Sequence, residues 1–323
     1  MRTKTIATYF ILSVVCLALV WLTGCQKTRT RLEKKTQISE GQFTAQINGL
    51  ELWYKVSGNG PVCILPTPGW GPSSELYFLN FTPLEEMFTM VYLDTRGSGR
   101  SERPELNEYT MKNFVADLEG LRSHLGVENM WLMGQSDGGP MVLNYAFEHA
   151  EHVTGLILVD APIGDTSKGD DRSKRMQLRK DEPWFDAAIK QWGQMPTTQE
   201  EFDAYNKAIM PFFFSSIENL EKNQAEFEQT SLSFHAVQGQ GQSDRSSADL
   251  ATLLPEMEIP TLIIVGIDDF ICTPPAALFL HSEIQYSKLL VIENAGHFPW
   301  LEEPEQFFGG IRTFLPKLGY KIN

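Results

Sequence analysis

The chain has 323 residues, with 41 acidic against 27 basic side chains and a formal net charge of −14. That balance excludes nucleic acid as a partner, which needs a basic surface. Of the four cysteines, Cys16 and Cys25 fall in the N-terminal segment, so the remaining two imply no disulfide framework.

The first residues read as a targeting segment. Arg2 and Lys4 make a basic start, and 10–22 is an almost unbroken apolar run. Such a run has the length of a signal-peptide core and falls short of the ~20 residues of a spanning helix. It ends in Leu22-Thr23-Gly24-Cys25. This resembles the lipobox of bacterial lipoproteins, which implies cleavage before Cys25, lipid on Cys25 and a domain held at a membrane surface on the exported side. An ordinary secretory signal and an uncleaved anchor are the alternatives. Gln26 after the cysteine implies, by the same resemblance, no inner-membrane retention signal. Residues 25–40 are polar, rich in Lys and Arg, and read as a tether. Loss of 1–24 removes two cations and no acid, so the mature chain is more acidic still. Cys63 and Cys272 are then the cysteines of the folded part. Cys63 lies in an apolar run, which favours a buried free thiol over a single bond between the two.

The folded part opens with a hairpin. Residues 43–47 and 50–56 flank Asn48-Gly49, a strong type I′ turn signal. Apolar runs at 62–65, 90–93, 130–133, 156–159, 262–265 and 289–292 follow, separated by helical patterns. They are continuous rather than alternating, as strands buried on both faces should be. Between the second and third, Thr110 is an N-cap candidate, and Phe114, Leu118, Leu121 and Leu125 recur on one helical face. The expectation is an α/β fold: a mostly parallel sheet with helices on both sides, built from 41–162 and 255–323. Residues 163–254 break the rhythm. They are rich in Asp, Glu, Gln, Lys and Met, with apolar islands at Trp184-Phe185 and Pro211-Phe212-Phe213-Phe214, and they read as an inserted helical cap.

The stretch Gly134-Gln135-Ser136-Asp137-Gly138 joins the strand at 130–133 to a helix beginning near Gly139. A G-x-S-x-G pattern in that setting is a nucleophile elbow. Gly134 and Gly138, without Cβ atoms, would let strand and helix approach closely, leaving the Ser136 hydroxyl exposed at a helix N-terminus. A serine needs a base to take its proton and an acid to hold that base in one tautomer. His124, His149, His152 and His281 sit at helix ends and His235 in the cap. His297 instead lies in a loop past the strand at 289–292, where open α/β sheets place their ligand sites. Asp268 and Asp269 follow the strand at 262–265, and Asp160 ends an earlier one, so all three are acid candidates. An oxyanion needs two donors. The N–H of Asp137 supplies one. The loop Pro66-Thr67-Pro68-Gly69-Trp70-Gly71 supplies the other; its prolines have no N–H, and Gly69 is preferred to Trp70 because it allows close approach.

These residues carry a family resemblance over nearly all of the chain from Phe43. It looks like the α/β-hydrolase fold, and within it like the proline iminopeptidase group. Asp94-Thr95-Arg96-Gly97-Ser98-Gly99-Arg100-Ser101 is similar to the group's D-Q-R-G-S-G-R-S segment, with Thr95 in place of Gln. Gly266 to Asp269 matches the G-x-x-D of its triad acid, which selects Asp269. Gly296-His297-Phe298-Pro299-Trp300-Leu301-Glu302-Glu303-Pro304 is similar to G-H-x-P-x-x-E-x-P around the fold's catalytic histidine. The order Ser136, Asp269, His297 is the order of the α/β hydrolases. The chain departs from the group at Thr67-Pro68-Gly69-Trp70-Gly71, where the group has H-G-G-P-G, and at Asp137, where it usually has Trp.

The resemblance implies a serine hydrolase working through an acyl-enzyme on a small-molecule or short peptide substrate. A proline iminopeptidase-like aminopeptidase comes first and a small-molecule carboxylesterase second; a non-catalytic binding protein on a hydrolase scaffold is the alternative of another class. In the peptidases, cap carboxylates hold the substrate amine. Glu200, Glu201, Asp203 and Glu218 are acids of this cap, and no motif singles out one of them. No metal-ligand spacing and no dinucleotide fingerprint appears, so no cofactor is expected. Oligomeric state is not encoded in any pattern seen here.

Overall fold

The structure is a computed structural model and describes residues 38–162, 169–242 and 250–318. The targeting segment, Cys25 and nearly all of the tether lie outside the described residues. No helix among the described residues is long and apolar enough to cross a membrane.

Among the described residues, eight strands form one sheet in the order β1-β2-β4-β3-β5-β6-β7-β8. β1 (Gly41–Ile47) and β2 (Leu50–Gly58) are the expected hairpin. Asn48 and Gly49 take φ of 51° and 85°, the two positive values that a type I′ turn requires. The other strands are β3 (Val62–Pro66), β4 (Thr89–Leu93), β5 (Met130–Gln135), β6 (Val153–Val159), β7 (Thr261–Gly266) and β8 (Ser287–Ile292). β1 and β4 pair with β2 antiparallel, and every other pairing is parallel.

Strand composition explains why the sheet is covered on both sides. Leu132, Leu156, Leu158 and Ile263 point into one core with Leu118, Leu121, Val142 and Leu280. Their neighbours Trp131, Met133, Ile157 and Ile264 point into the other with Tyr77, Phe307 and Ile311. Successive side chains face opposite ways, so two dry faces need an unbroken apolar run. Each fully buried Leu- or Phe-sized side chain stabilises the fold by about 1.5–3 kcal/mol. On the first face lie α1 (Met111–His124) and α2 (Gly138–Glu148). The Thr110 side chain caps α1, accepting from the Asn113 N–H. Cys63 and Cys272 are both buried and free, so no bond joins them.

Between β6 and β7 the described chain is helical. Its helices of seven residues or more are α3 (Gly169–Gln177), α4 (Phe185–Gln191), α5 (Gln199–Ile209), α6 (Ile217–Glu228) and α7 (Phe234–Gln242). α8 (Pro274–Glu283) and α9 (Pro304–Phe314) complete the core. The apolar islands of the insertion are its attachment points. Phe185 and Phe212 pack with Met176, Ala188 and Phe270, the last from the loop after β7.

Candidate active site

The elbow forms where β5 meets α2. Ser136 takes φ of 51°, a left-handed conformation that costs a residue with a Cβ roughly 1–3 kcal/mol. Two backbone bonds hold it there: Ser136 N–H donates to the Val159 carbonyl at 2.9 Å, and its carbonyl accepts from Gly139 N–H at 2.8 Å. The glycines divide the work differently from the sequence reading. A Cβ on Gly134 would lie 2.5 Å from the Gly138 carbonyl oxygen, and one on Gly139 would lie 2.4 Å from the Ala161 Cβ. A Cβ on Gly138 would meet only the Pro66 oxygen at 3.6 Å, an ordinary contact. Close approach of strand and helix therefore depends on Gly134 and Gly139; Gly138 is not sterically required.

His297 and Asp269 meet at the ends of β8 and β7. His297 Nδ1 lies 2.8 Å from Asp269 Oδ2. The second oxygen of Asp269 accepts from the N–H groups of Ile271 and Cys272 at 2.8 and 3.1 Å. Burial alone would raise the Asp269 carboxyl; the adjacent His297 and the backbone donors outweigh it, and the net shift is downward. Asp268 makes no bond to the imidazole. Its carboxyl is pushed up by burial, against the pull of Arg175 and Arg179.

Asp160, the third acid candidate, is buried beside this pair. Its Oδ1 accepts from Gly266 N–H at 2.9 Å, and its Oδ2 has no hydrogen-bond partner. Burial first, and the Asp269 charge second, push its carboxyl well above the ordinary range. Two neighbouring buried carboxyls resist carrying two charges, so Asp160 is the neutral member and Asp269 the ionised one.

The backbone of the His297 loop is clamped by the insertion. His297 N–H donates to the Phe213 carbonyl at 2.7 Å, and a Cβ on Gly296 would sit 2.4 Å from that same oxygen. Glu302 completes the clamp. It accepts from Gly296 N–H and Ser215 N–H, each at 2.7 Å, and from Asn219 Nδ2 at 3.2 Å. In the sequence Glu302 is visible only as a member of the motif around His297, with no task attached to it. Its signal was the fixed spacing from His297.

Ser136, Asp137, Trp70, Cys272 and His297 line one cavity of about 360 Å³. Of the two oxyanion candidates in the loop after β3, Trp70 reaches this wall; the preferred Gly69 is buried and does not line it. The bulky side chain of Trp70, stacked on Phe227 at 6.3 Å, makes it the wall residue. The motif departures are complementary. Thr67 and Thr95 bond each other through their hydroxyls at 2.8 Å, tying the loop after β3 to the loop after β4. The rest of the Asp94–Ser101 motif is scaffold: Asp94 accepts from Ser74 N–H and Arg100, and Arg96 forms a buried pair with Asp117 at 2.7 Å. Glu200, Glu201, Asp203 and Glu218 do not line the cavity.

Among the described residues, the donors of Asp269, Cys272 and His297 lie within 4.8 Å of one another, close enough to hold a metal ion. The bond between Asp269 and His297 already engages two of them, and burial pushes the Cys272 thiol well up, so a neutral thiol sits there.

A family model described as the alpha/beta hydrolase fold matches residues 61–304. The proline iminopeptidase PfmaB of Pestalotiopsis fici is 27% identical over 295 residues, covering 84% of this chain and 98% of its own. A proline iminopeptidase of Thermoplasma volcanium is 26% identical, covering 84% of this chain and 95% of its own. Among solved structures, a thermophilic esterase from Thermogutta terrifontis superposes with a TM-score of 0.62 at 26% identity, covering 87% of this chain and 100% of that one. With its sheet order, its elbow and a family match over most of its length, the chain belongs to the α/β hydrolases and is an enzyme of that family.

Proposed function

We propose that the chain is a serine hydrolase that cleaves an ester or amide bond through an acyl-enzyme on Ser136, in the manner of a proline iminopeptidase-like aminopeptidase. One observation carries this reading: the imidazole bonded to Asp269 at 2.8 Å opens on the cavity that Ser136 also lines. In the reaction, His297 Nε2 takes the proton from the Ser136 hydroxyl as the oxygen attacks the substrate carbonyl. Asp269 keeps Nδ1 protonated and stabilises the imidazolium that forms. The Asp137 N–H and a second N–H from the Gly69-Trp70 stretch receive the oxyanion, a contribution of about 100- to 1000-fold per donor. His297 then returns the proton to the leaving group, and water releases the acyl group by the same steps in reverse order.

The relatives named proline iminopeptidase, matched over 84% of the chain, favour the aminopeptidase. The Thermogutta esterase and the absence of the weighed insertion acids from the cavity wall favour a small-molecule carboxylesterase as the second reading. Aminoacyl and simple acyl p-nitrophenyl esters, assayed side by side with Ser136→Ala as control, separate the two. Prolyl substrates turned over faster than their amine-free counterparts support the peptidase; turnover confined to the amine-free series rejects it.

The same proposal places the enzyme at a bacterial membrane through lipid on Cys25, on the basis of Leu22-Thr23-Gly24-Cys25. Fractionation of cells expressing wild type and Cys25→Ser tests it. Release of only the variant is the expected outcome, and a freely soluble wild type contradicts it.

A further inference from the structure

Three arginines follow one another at helical spacing: Arg172, Arg175 and Arg179. Residues three and four apart share a face of a helix, here α3 and the turn that extends it. One of them fastens that face to the rim of the core, and another fastens it to the part of the insertion that clamps the His297 loop. Arg175 Nη1 donates to the Ile267 carbonyl at 2.8 Å, beside Asp268 and Asp269. Arg179 Nη1 donates to the Phe214 carbonyl at 2.7 Å, beside Phe213 whose own carbonyl holds His297.

Arg172 stands one turn before Arg175 and does something else. It lines the cavity that holds Ser136 and His297. Its Nε is fully buried and has no hydrogen-bond partner. Much of the wall around it is aromatic and aliphatic, including Trp192, Phe202, Ile209 and Phe213. A guanidinium donor taken out of water and left unpaired is unfavourable. The natural complement is a carboxylate, whose two oxygens match the fork of Nε and one Nη. Among the described residues, Asp137 is the one acid on this wall, and it sits directly after the nucleophile in the chain.

We propose that Arg172 is a substrate anchor: the cavity takes an ester or amide that carries a carboxylate, and Arg172 holds that carboxylate while Ser136 meets the scissile carbonyl. This rests on the reading of Ser136 as nucleophile and adds a charge requirement to it. The carboxylate can belong to the leaving side, as the free C-terminus of a dipeptide, or to the acyl side, as the far end of a dicarboxylic monoester. The guanidinium recognises both by the same chemistry.

The test reads binding and turnover separately. Labelling of the full chain by a neutral fluorophosphonate reports the nucleophile whatever the substrate charge, and Ser136→Ala must abolish it. Protection against that labelling is then measured with glutarate and with glutaramide. In wild type glutarate protects at a concentration about 10- to 100-fold lower than glutaramide, as a charge-assisted pair should give. Arg172→Gln removes that difference, read as the ratio of the two protectants within the variant and normalised to the variant's own labelling without protectant. Arg172→Lys keeps the charge without the fork and recovers part of it. Two substrate pairs identify the source: prolyl-glycine against its C-terminal amide, and p-nitrophenyl monoglutarate against p-nitrophenyl butyrate. Equal protection by glutarate and glutaramide in wild type overturns the anchor, even where labelling of Ser136 is normal. So does an Arg172→Gln variant that slows labelling and weakens both protectants alike, which marks a structural residue.

Discussion

The sheet rim and the helical insertion meet around one cavity, but they are built by different rules. At the rim two of the three reacting side chains are placed by short-range constraints: Ser136 by its φ of 51° between β5 and α2, and Asp269 by two backbone donors two and three residues further on. In the insertion, placement comes from distant partners. Phe213 is set by His297, Ser215 by Glu302 and Arg175 by Ile267, each far away in sequence. Reactivity is thus encoded locally and selectivity non-locally. Substitutions at the rim should change rate, and substitutions in the insertion should change which substrate is accepted.

The largest expected effect is at the rim itself. Ser136→Ala should lower kcat by about 10⁴- to 10⁶-fold, and Asp269→Asn by about 10⁴-fold, with thermal stability nearly unchanged for the serine variant. Steady-state kinetics beside a melting curve would check both. A fall below tenfold at Asp269 would hand its role to another carboxyl.

Asp160→Asn sharpens the contrast between the two buried acids. Because Asp160 is the neutral one, an amide should replace it with a loss of about tenfold or less in kcat/KM. Stability should respond to pH with a definite sign. A carboxyl raised by folding favours the folded state below the unfolded value near pH 4 and disfavours it increasingly as pH rises above that. Asp269, lowered by folding, contributes the reverse: stability present above pH 4 and lost in acid. Asp160→Asn should therefore melt higher than wild type at pH 7, and the gap should close towards pH 4. A gap that widens in acid would mean the two roles are exchanged.

Glu302→Gln tests the join between rim and insertion. It weakens charge-assisted bonds to Gly296 and Ser215 and should cost about 1–3 kcal/mol in urea unfolding. The smallest effect belongs to Thr67 and Thr95, whose coupling in a valine double-mutant cycle should be about 0.5–1.5 kcal/mol. Additive behaviour would show that the two loops are not tied through these hydroxyls.

The same division explains what the sequence made legible. Unbroken apolar runs, Asn48-Gly49 and the G-x-S-x-G turn are local signals, and the structure has a strand, hairpin or elbow at each. Choosing Asp269 over Asp268 needed a family spacing, since adjacent loop carboxylates are alike until the turn is formed. Gly138 was credited with a close approach that belongs to Gly139, because helix-to-strand distance is a tertiary quantity. Trp70 and not Gly69 lines the cavity for a similar reason: an indole's direction depends on what it stacks against, here Phe227. In the insertion, acids were easy to count and impossible to orient. Once α3 is docked through Arg175 and Arg179, it is Arg172 and none of the four weighed acids that meets the substrate space.

The most direct measurement is mass spectrometry of the enzyme after reaction with a fluorophosphonate. A single adduct on the peptide bearing Ser136, formed in wild type, slowed by about 10³-fold or more in His297→Ala and absent from Ser136→Ala, is the predicted result. An adduct on another residue, or labelling of Ser136 that proceeds at the wild-type rate without His297, would contradict the account.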